Sequence, residues 1–225
     1  LMELLKNWDK ETQELVLNGD LIDRGYRSKD VLLLANQLMH EGVCHVTLGN
    51  HDQMLLDFLT HNGADLQDIY DVWYQQGGRM TSCSLLQLPV GIVDKYSPEK
   101  LQSELNNLYY VKDTLELFEP YYVQGNVLCV HAGISVWNQE NWANLSRESY
   151  IWTRDFHKYG NRTGKVVVAG HTPTPLVWED DDNFDIWVNK ERNIIMIDGG
   201  CVYGGQLNGV VVDNSGEIKQ VYVQK

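Results

Sequence analysis

The feature that most constrains the fold is a repeated alternation of short apolar stretches with polar, glycine-containing loops. Two strand–loop–helix units follow one another, and we predict their parts at residues 14–17, 18–24, 31–39, 43–48, 49–51 and 53–59. Ser28 is the predicted N-cap of the first helix, and Gly42 is its predicted end. This order predicts an α/β protein whose functional side chains lie on loops after the strands.

The remainder of the chain supplies further strands and a helical region. The predicted strands are residues 121–124, 127–130, 166–169, 194–197, 207–212 and 218–223. Ser97 and Pro98 predict the start of a helix that runs to Phe118, and Gly125-Asn126 predicts a hairpin turn. We therefore expect one domain over residues 1–225, with helices outside two β-sheets and a helical insertion at about residues 62–120.

Charge limits the partners of this chain. Its 225 residues include 18 Lys and Arg against 31 Asp and Glu, a formal net charge of −13. General nucleic-acid binders need a basic stripe, and no run of Lys or Arg is present. A phosphorylated ligand must therefore be met by local positive charge, either metal ions or a few arginines.

Cysteine usage and hydropathy indicate the compartment. The four cysteines are scattered without a C-x-x-C pair, which favours reduced thiols over a disulfide framework or a structural zinc site. No apolar run approaches the ~20 residues of a membrane span, and no signal peptide is recognisable. We expect a cytoplasmic protein without a membrane partner.

Five predicted strands end in unusual polar residues. The segments that follow them are Gly19-Asp20-Leu21-Ile22-Asp23-Arg24-Gly25, Gly49-Asn50-His51-Asp52, His131-Ala132-Gly133, Gly170-His171-Thr172 and Asp198-Gly199-Gly200-Cys201. Each residue alone has an ordinary explanation, such as a turn for Asp20 or a buried core histidine for His131. If the strands end on one side of a sheet, these oxygen and nitrogen ligands converge, and such a set suits Mn²⁺, Fe or Zn²⁺.

The order GD-x-x-DRG, GNH-D, HAG and GHT resembles the phosphoprotein-phosphatase group of calcineurin-like metallophosphoesterases. The resemblance covers residues 20–203 and is closest in form to the small bacterial members. It implies a two-sheet β-sandwich flanked by helices, and a hydrolase that acts on phosphoserine, phosphothreonine or, in one branch, diadenosine tetraphosphate. It also implies two divalent metal ions, with Mn²⁺ preferred over Fe or Zn²⁺.

The resemblance implies a role for eight side chains: metal ligands Asp20, Asn50, His131 and His171; general acid His51 with its orienting carboxylate Asp23; and phosphate-binding Arg24 and Arg154. Two metal ions clamp a phosphate and generate hydroxide near neutral pH. A positioned acid contributes about 10²–10⁴-fold when the leaving group is an alkoxide. Arginine matches two phosphate oxygens with its planar fork.

One family motif is missing. The relatives begin with G-D-x-H-G on a first strand, whose Asp and His hold the first metal ion, and this chain lacks it. The chain begins at Leu1, just before a predicted amphipathic helix over residues 2–8. We expect an N-terminus that is truncated or unseen, a fold without its first strand, and a first metal ion that keeps only Asp20 as a ligand.

Three functions remain open. The preferred hypothesis is a metal-dependent phosphomonoesterase that hydrolyses phosphoserine or phosphothreonine in proteins. The second is a symmetrical dinucleoside tetraphosphate hydrolase, or another phosphoanhydride hydrolase, for which Trp137 or Trp142 after the HAG loop is a candidate to line the site entrance. The third is an inactive module that binds phosphorylated partners through Arg24 and Arg154. The substrate is accordingly a phosphoprotein or a small phosphorylated molecule.

Overall fold

The computed structural model describes residues 1–225, with nine strands, ten α-helices and four shorter helical turns. The strands are β1 (Leu15–Leu17), β2 (Cys44–Val46), β3 (Tyr122–Gln124), β4 (Val127–Val130), β5 (Val166–Ala169), β6 (Trp187–Val188), β7 (Ile194–Met196), β8 (Leu207–Val212) and β9 (Ile218–Gln224). The helices are α1 (Met2–Leu5), α2 (Ser28–His40), α3 (Asn50–Thr60), α4 (Leu66–Trp73), α5 (Arg79–Leu86), α6 (Val90–Val93), α7 (Pro98–Asn106), α8 (Tyr109–Glu116), α9 (Arg147–Ile151) and α10 (Thr174–Trp178).

The strands form three hydrogen-bonded groups. Strands β1 and β2 pair in parallel, and β8 and β9 form an antiparallel hairpin. The largest sheet has the order β3-β4-β5-β7-β6, with β4, β5 and β7 parallel and the two outer strands antiparallel. The predicted α/β class is therefore confirmed, as mixed sheets with helices, and the predicted hairpin at Gly125-Asn126 joins β3 to β4.

The central strands of the large sheet are buried on both faces. Alternate residues of β4 and β5 divide between two apolar clusters, so that Leu128 and Val167 join the main core while Val127 and Val166 join a smaller one. Parallel strands covered on both sides carry continuous apolar runs, and Val166–Ala169 is such a run. The main core also contains residues of the helices, including Phe58 and Trp73.

Strands β1 and β8 each have a strand neighbour on one side only. Both border a cavity of about 1810 Å³ that extends to the polar loops after β1, β4 and β5. The carboxyl ends of the parallel strands thus open into one large concave space, which is where α/β proteins place ligands.

Helix ends differ from the sequence predictions for identifiable reasons. The predicted loop at residues 49–51 is wrong, since Asn50 and His51 form the first turn of α3. Ser28 is not an N-cap: it is the first residue of α2, and its hydroxyl hydrogen-bonds that of Thr81. The predicted cap at Ser97 is confirmed, because its side chain accepts from the Lys100 N–H.

Two predicted helices are shorter than the apolar spacing indicates. The helix expected from Ser97 to Phe118 is divided into α7 and α8 around Asn107 and Leu108. The amphipathic helix predicted for residues 2–8 is the four-residue α1. No helix has the length and apolar character needed to cross a membrane, and the four cysteines are free thiols.

Asn18 joins the small parallel sheet to the large one. Its side-chain amide donates to the Val130 carbonyl at 3.0 Å, and its side-chain oxygen accepts from the Thr47 hydroxyl at 3.0 Å. The backbone carbonyl of Asn18 also lies 2.9 Å from Nδ1 of His131. One residue at the end of β1 therefore fixes the ends of β2 and β4 relative to each other.

We predict that Asn18→Ala lowers the free energy of unfolding by about 1–3 kcal/mol, because it leaves a hydroxyl and a carbonyl without their partner. Urea denaturation followed by circular dichroism measures the loss. The control is Asn144→Ala, since the exposed Asn144 side chain donates only to Asn141. Equal stabilities of the two variants would contradict this role of Asn18.

Candidate active site

Four side chains converge where strands end. Asp20 lies on the loop after β1, and Asn50 lies at the start of α3 shortly after β2. His131 and His171 follow β4 and β5 within two residues. All four were predicted as metal ligands from the sequence, and the structure places them together at one edge of the sheets.

The distances between their polar atoms are short. Nε2 of His131 lies 3.2 Å from Oδ1 of Asn50, 3.2 Å from Nδ1 of His171 and 3.4 Å from Oδ1 of Asp20. Asp20, His131 and His171 offer ligand atoms that all lie within 4.8 Å of one another. A carboxylate oxygen, an amide oxygen and two imidazole nitrogens without a thiolate are a donor set that suits Mn²⁺, Fe or Zn²⁺. A divalent metal ion therefore fits this set of four side chains, which we call the metal group (Asp20, Asn50, His131 and His171).

The charges of these side chains shift one another's pKa values. Burial opposes ionisation of Asp20, but the adjacent His131 outweighs it and lowers the pKa of the Asp20 carboxyl well below its usual range. Burial also opposes protonation of His131, yet Asp20 raises the pKa of His131 to about 9. Burial, together with the positive charges of His131 and Arg154, lowers the pKa of His171 to about 3. The group thus holds an ionised Asp20 carboxylate against a protonated His131, with a neutral His171 imidazole beside them.

Glycines allow the loops to approach each other closely. A Cβ on Gly49 would lie 2.2 Å from Oδ1 of Asp20, and a Cβ on Gly19 would lie 2.7 Å from Nδ1 of His131. Asp20, Asp23 and His171 have φ between 53° and 74°, a region that residues with a side chain rarely adopt. Such strain is maintained only where the surrounding contacts determine the backbone, as they do here.

Asp52, which is not among the eight predicted side chains, provides those contacts. Its buried carboxylate accepts backbone N–H bonds from Asp20 at 2.8 Å, Gly49 at 2.9 Å and Leu21 at 3.1 Å. Burial and the negative charge of Asp20 raise the pKa of Asp52 to about 7. This one side chain in α3 therefore joins the loop after β1 to the loop after β2.

His51 and Asp23 form a buried pair beside the metal group. Nδ1 of His51 lies 2.7 Å from Oδ2 of Asp23, and both side chains are at most 5% exposed. The other oxygen of Asp23 accepts from the Thr81 hydroxyl at 2.7 Å and from Nε1 of Trp73 at 3.3 Å. Thr81 and Trp73 come from the helical region between residues 62 and 120, and no sequence motif marked them.

Both predicted phosphate-binding arginines border the cavity that contains the metal group. The guanidinium carbon of Arg24 lies 5.3 Å from the ring centroid of Tyr203, and Arg154 is close enough to act on the charge of His171. The structure thus brings all eight predicted side chains to a single cavity.

This arrangement agrees with a family comparison. Residues 1–204 match the model of the family described as calcineurin-like phosphoesterase. The chain belongs to the calcineurin-like phosphoesterase family. The match spans the metal group, the His51–Asp23 pair and the segment of Tyr203, so the α/β fold and the polar loops together are those of a metallophosphoesterase.

Individual relatives carry a more specific name. The chain is 27% identical over 210 residues to the bis(5'-nucleosyl)-tetraphosphatase PrpE [asymmetrical] of Bacillus subtilis (strain 168), covering 89% of this chain and 76% of the relative. Proteins of the same name from Bacillus velezensis and Oceanobacillus iheyensis are each 26% identical, with 88% and 87% of this chain and 74% and 72% of the relative covered. These names do not support the expected phosphoserine and phosphothreonine specificity.

The aromatic side chains that border the cavity of this phosphoesterase are not the two that were predicted to line its entrance. Neither Trp137 nor Trp142 borders the cavity. Trp142 packs against Tyr121 and donates to the Thr163 carbonyl, which fixes it in the fold. The aromatic residues that do border the cavity include Trp152, whose ring meets that of His171 edge-on at 6.0 Å, and the exposed Tyr203.

We predict that Asp52→Asn weakens Mn²⁺ binding by about 10–100-fold, as the loss of a group that orients metal ligands does. The amide that replaces one oxygen would turn its own donors toward a backbone N–H, so the Asp20 loop shifts. Calorimetric titration with Mn²⁺ measures the affinity, and urea denaturation establishes that the variant is folded. The matched control is Asp57→Asn, an exposed acid of the same helix. Unchanged Mn²⁺ affinity in a folded Asp52→Asn protein would contradict the role of Asp52.

Proposed function

We propose that this chain hydrolyses dinucleoside polyphosphates, and that it cleaves diadenosine tetraphosphate asymmetrically into AMP and ATP. The observation that carries the proposal is the metal group with its adjacent His51–Asp23 pair in a chain whose relatives bear the tetraphosphatase name. The proposal prefers a dinucleotide over the phosphoprotein of the first hypothesis, and asymmetrical cleavage over the symmetrical cleavage of the second.

Each side chain has a distinct part in this reaction. Asp20, Asn50, His131 and His171 would hold a divalent metal ion, which when bound neutralises phosphate charge and lowers the pKa of water. Arg24 and Arg154 bind phosphate oxygens through their planar guanidinium groups. The cavity that contains these groups is large enough for an extended polyphosphate with a nucleoside at each end.

His51 supplies the proton. Its Nδ1 is engaged by Asp23, so Nε2 is the nitrogen from which a proton reaches the leaving oxygen. Thr81 and Trp73 hold the second oxygen of Asp23 and thereby fix the plane of the carboxylate and the orientation of the imidazole. The buried carboxylate keeps a proton on Nδ1, so the neutral His51 left after proton transfer is the Nδ1–H tautomer.

The basicity of the leaving group determines how strongly the reaction rate depends on proton donation by His51. An alkoxide released from a phosphoserine peptide is strongly basic and requires protonation, whereas the phosphate oxygen released from a phosphoanhydride is a weaker base. A catalyst of dinucleotide cleavage therefore depends less on its general acid than a protein phosphatase does, although both can use the same metal ligands.

The proposal is tested by comparing kcat/KM for diadenosine tetraphosphate and for a phosphoserine peptide, in the presence of Mn²⁺. We expect the dinucleotide to be the better substrate, and chromatography to show AMP and ATP in equal amounts. Two molecules of ADP would establish symmetrical cleavage instead. A preference for the peptide would restore the phosphoprotein phosphatase hypothesis, and no hydrolysis of either would favour the inactive binding module.

We predict that His51→Ala separates the two kinds of leaving group. Turnover of the phosphoserine peptide falls by about 10² or more, the contribution of a positioned acid, and turnover of diadenosine tetraphosphate falls by less. Steady-state kinetics gives both ratios, and calorimetry with Mn²⁺ shows whether the metal group survives. The control is His45→Ala, a half-exposed histidine of β2 whose ring stacks on Tyr122. Equal losses on both substrates would argue against the proton-donor role of His51.

A further inference from the structure

The segment at residues 201–203 has no part in the metal group or the acid pair. It is a short helical turn between Gly200 and Gly204, which both have positive φ, at 61° and 89°. Tyr203, the last residue of this turn, is 65% exposed, belongs to neither apolar cluster and makes no hydrogen bond through its hydroxyl. Its ring borders the cavity, so neither packing nor hydrogen bonding accounts for an aromatic residue there.

The ring of Tyr203 lies beside a phosphate-binding group. Its centroid is 5.3 Å from the guanidinium carbon of Arg24, within the range of a cation–π contact. Tyr203 lines the same cavity as Asp20, His131 and His171. A ligand whose phosphate meets Arg24 therefore has a flat apolar surface next to that phosphate.

We propose that Tyr203 stacks on the base of the nucleoside attached to the phosphate that Arg24 binds. A nucleotide joins a planar base to a phosphate through one sugar, and this matches an aromatic ring placed beside an arginine. Base–aromatic stacking tolerates any base, because every base offers a π-face. The inference rests on the proposed function and deepens it, since it makes Tyr203 a specificity-determining residue for nucleotide over other phosphorylated substrates.

Trp152 and Tyr26 are also exposed aromatic residues that border the cavity. The Trp152 ring meets that of His171 edge-on at 6.0 Å, so its replacement would disturb a predicted metal ligand. The Arg24 guanidinium lies over the ring of Tyr203 and not over that of Tyr26. Tyr203 instead contacts Arg24. The affinity for ribose 5-phosphate, which has no base, measures separately any effect of a Tyr203 substitution on phosphate binding by Arg24. Tyr203 is therefore the residue on which base recognition can be tested without altering the metal group.

The experiment is equilibrium binding of AMP and of ribose 5-phosphate, by calorimetric titration of the full chain with Mn²⁺ present and with chromatography to verify that AMP stays intact. The two ligands share the sugar phosphate and differ in the base. We expect AMP to bind at least about fivefold tighter than ribose 5-phosphate, the low end of one base–aromatic stack. Tyr203→Leu should reduce this ratio to less than about twofold, whereas Tyr203→Phe, which keeps the ring, should retain it.

The matched control is Tyr109→Leu, an exposed tyrosine of α8 that does not border the cavity and should leave the ratio at the wild-type value. The inference is overturned if wild-type protein binds the two ligands equally or binds no AMP, if Tyr203→Leu keeps the preference for AMP, or if Tyr203→Phe loses it as Tyr203→Leu does. Preference for AMP without cleavage of diadenosine tetraphosphate would sink the proposed function and leave the base site standing. Cleavage of diadenosine tetraphosphate without a preference for AMP would support the proposed function and overturn the base site.

Discussion

The site depends on one buried carboxylate. Asp52 accepts three backbone N–H bonds from the loops after β1 and β2, and it thereby fixes the loops of two paired strands against each other. Gly49 lets the loops touch, because a side chain there would collide with Asp20. Since Asp20 sits in a strained backbone conformation, the bonds to Asp52 offset the cost of placing its carboxylate toward His131.

The loops that Asp52 holds together concentrate negative charge around the cavity. Asp20, Asp23, Asp52 and Asp198 all lie at or behind the cavity, and burial raises the pKa of Asp198 as it does that of Asp52. The cationic side chains that border the metal group, Arg24 and Arg154, are the ones proposed to bind substrate. Buried carboxylates are stable when they are paired or coordinate a cation, so a divalent ion among Asp20, His131 and His171 complements both the protein and an anionic substrate.

The sequence alone predicted the loops that carry the metal group, because a glycine-flanked polar residue after an apolar strand is a local pattern. It predicted the central strands for the same reason, since Val166–Ala169 is apolar throughout. It did not reveal Asn18, Thr81 or Asp52 as supporting residues, because the partners of their side chains, apart from Gly49 beside Asp52, lie 29 to 112 residues away along the chain. It placed Asn50 and His51 in a loop although the bond that begins α3 is local, since Asp52 at the third helical position accepts from the Gly49 N–H.

The metal group and the acid pair do not by themselves select a substrate. They act on a phosphorus atom and its leaving oxygen, and any phosphorylated molecule that reaches them presents the same atoms. Discrimination must arise farther from the reacting bond, where a peptide and a nucleoside differ in shape and in aromatic surface. Around this cavity, Tyr203 offers an open ring beside Arg24 while the indole of Trp142 is committed to the fold. An aromatic surface one sugar away from a phosphate-binding arginine favours a nucleotide over a phosphorylated peptide, because the base gains a stacking contact that a serine side chain cannot provide.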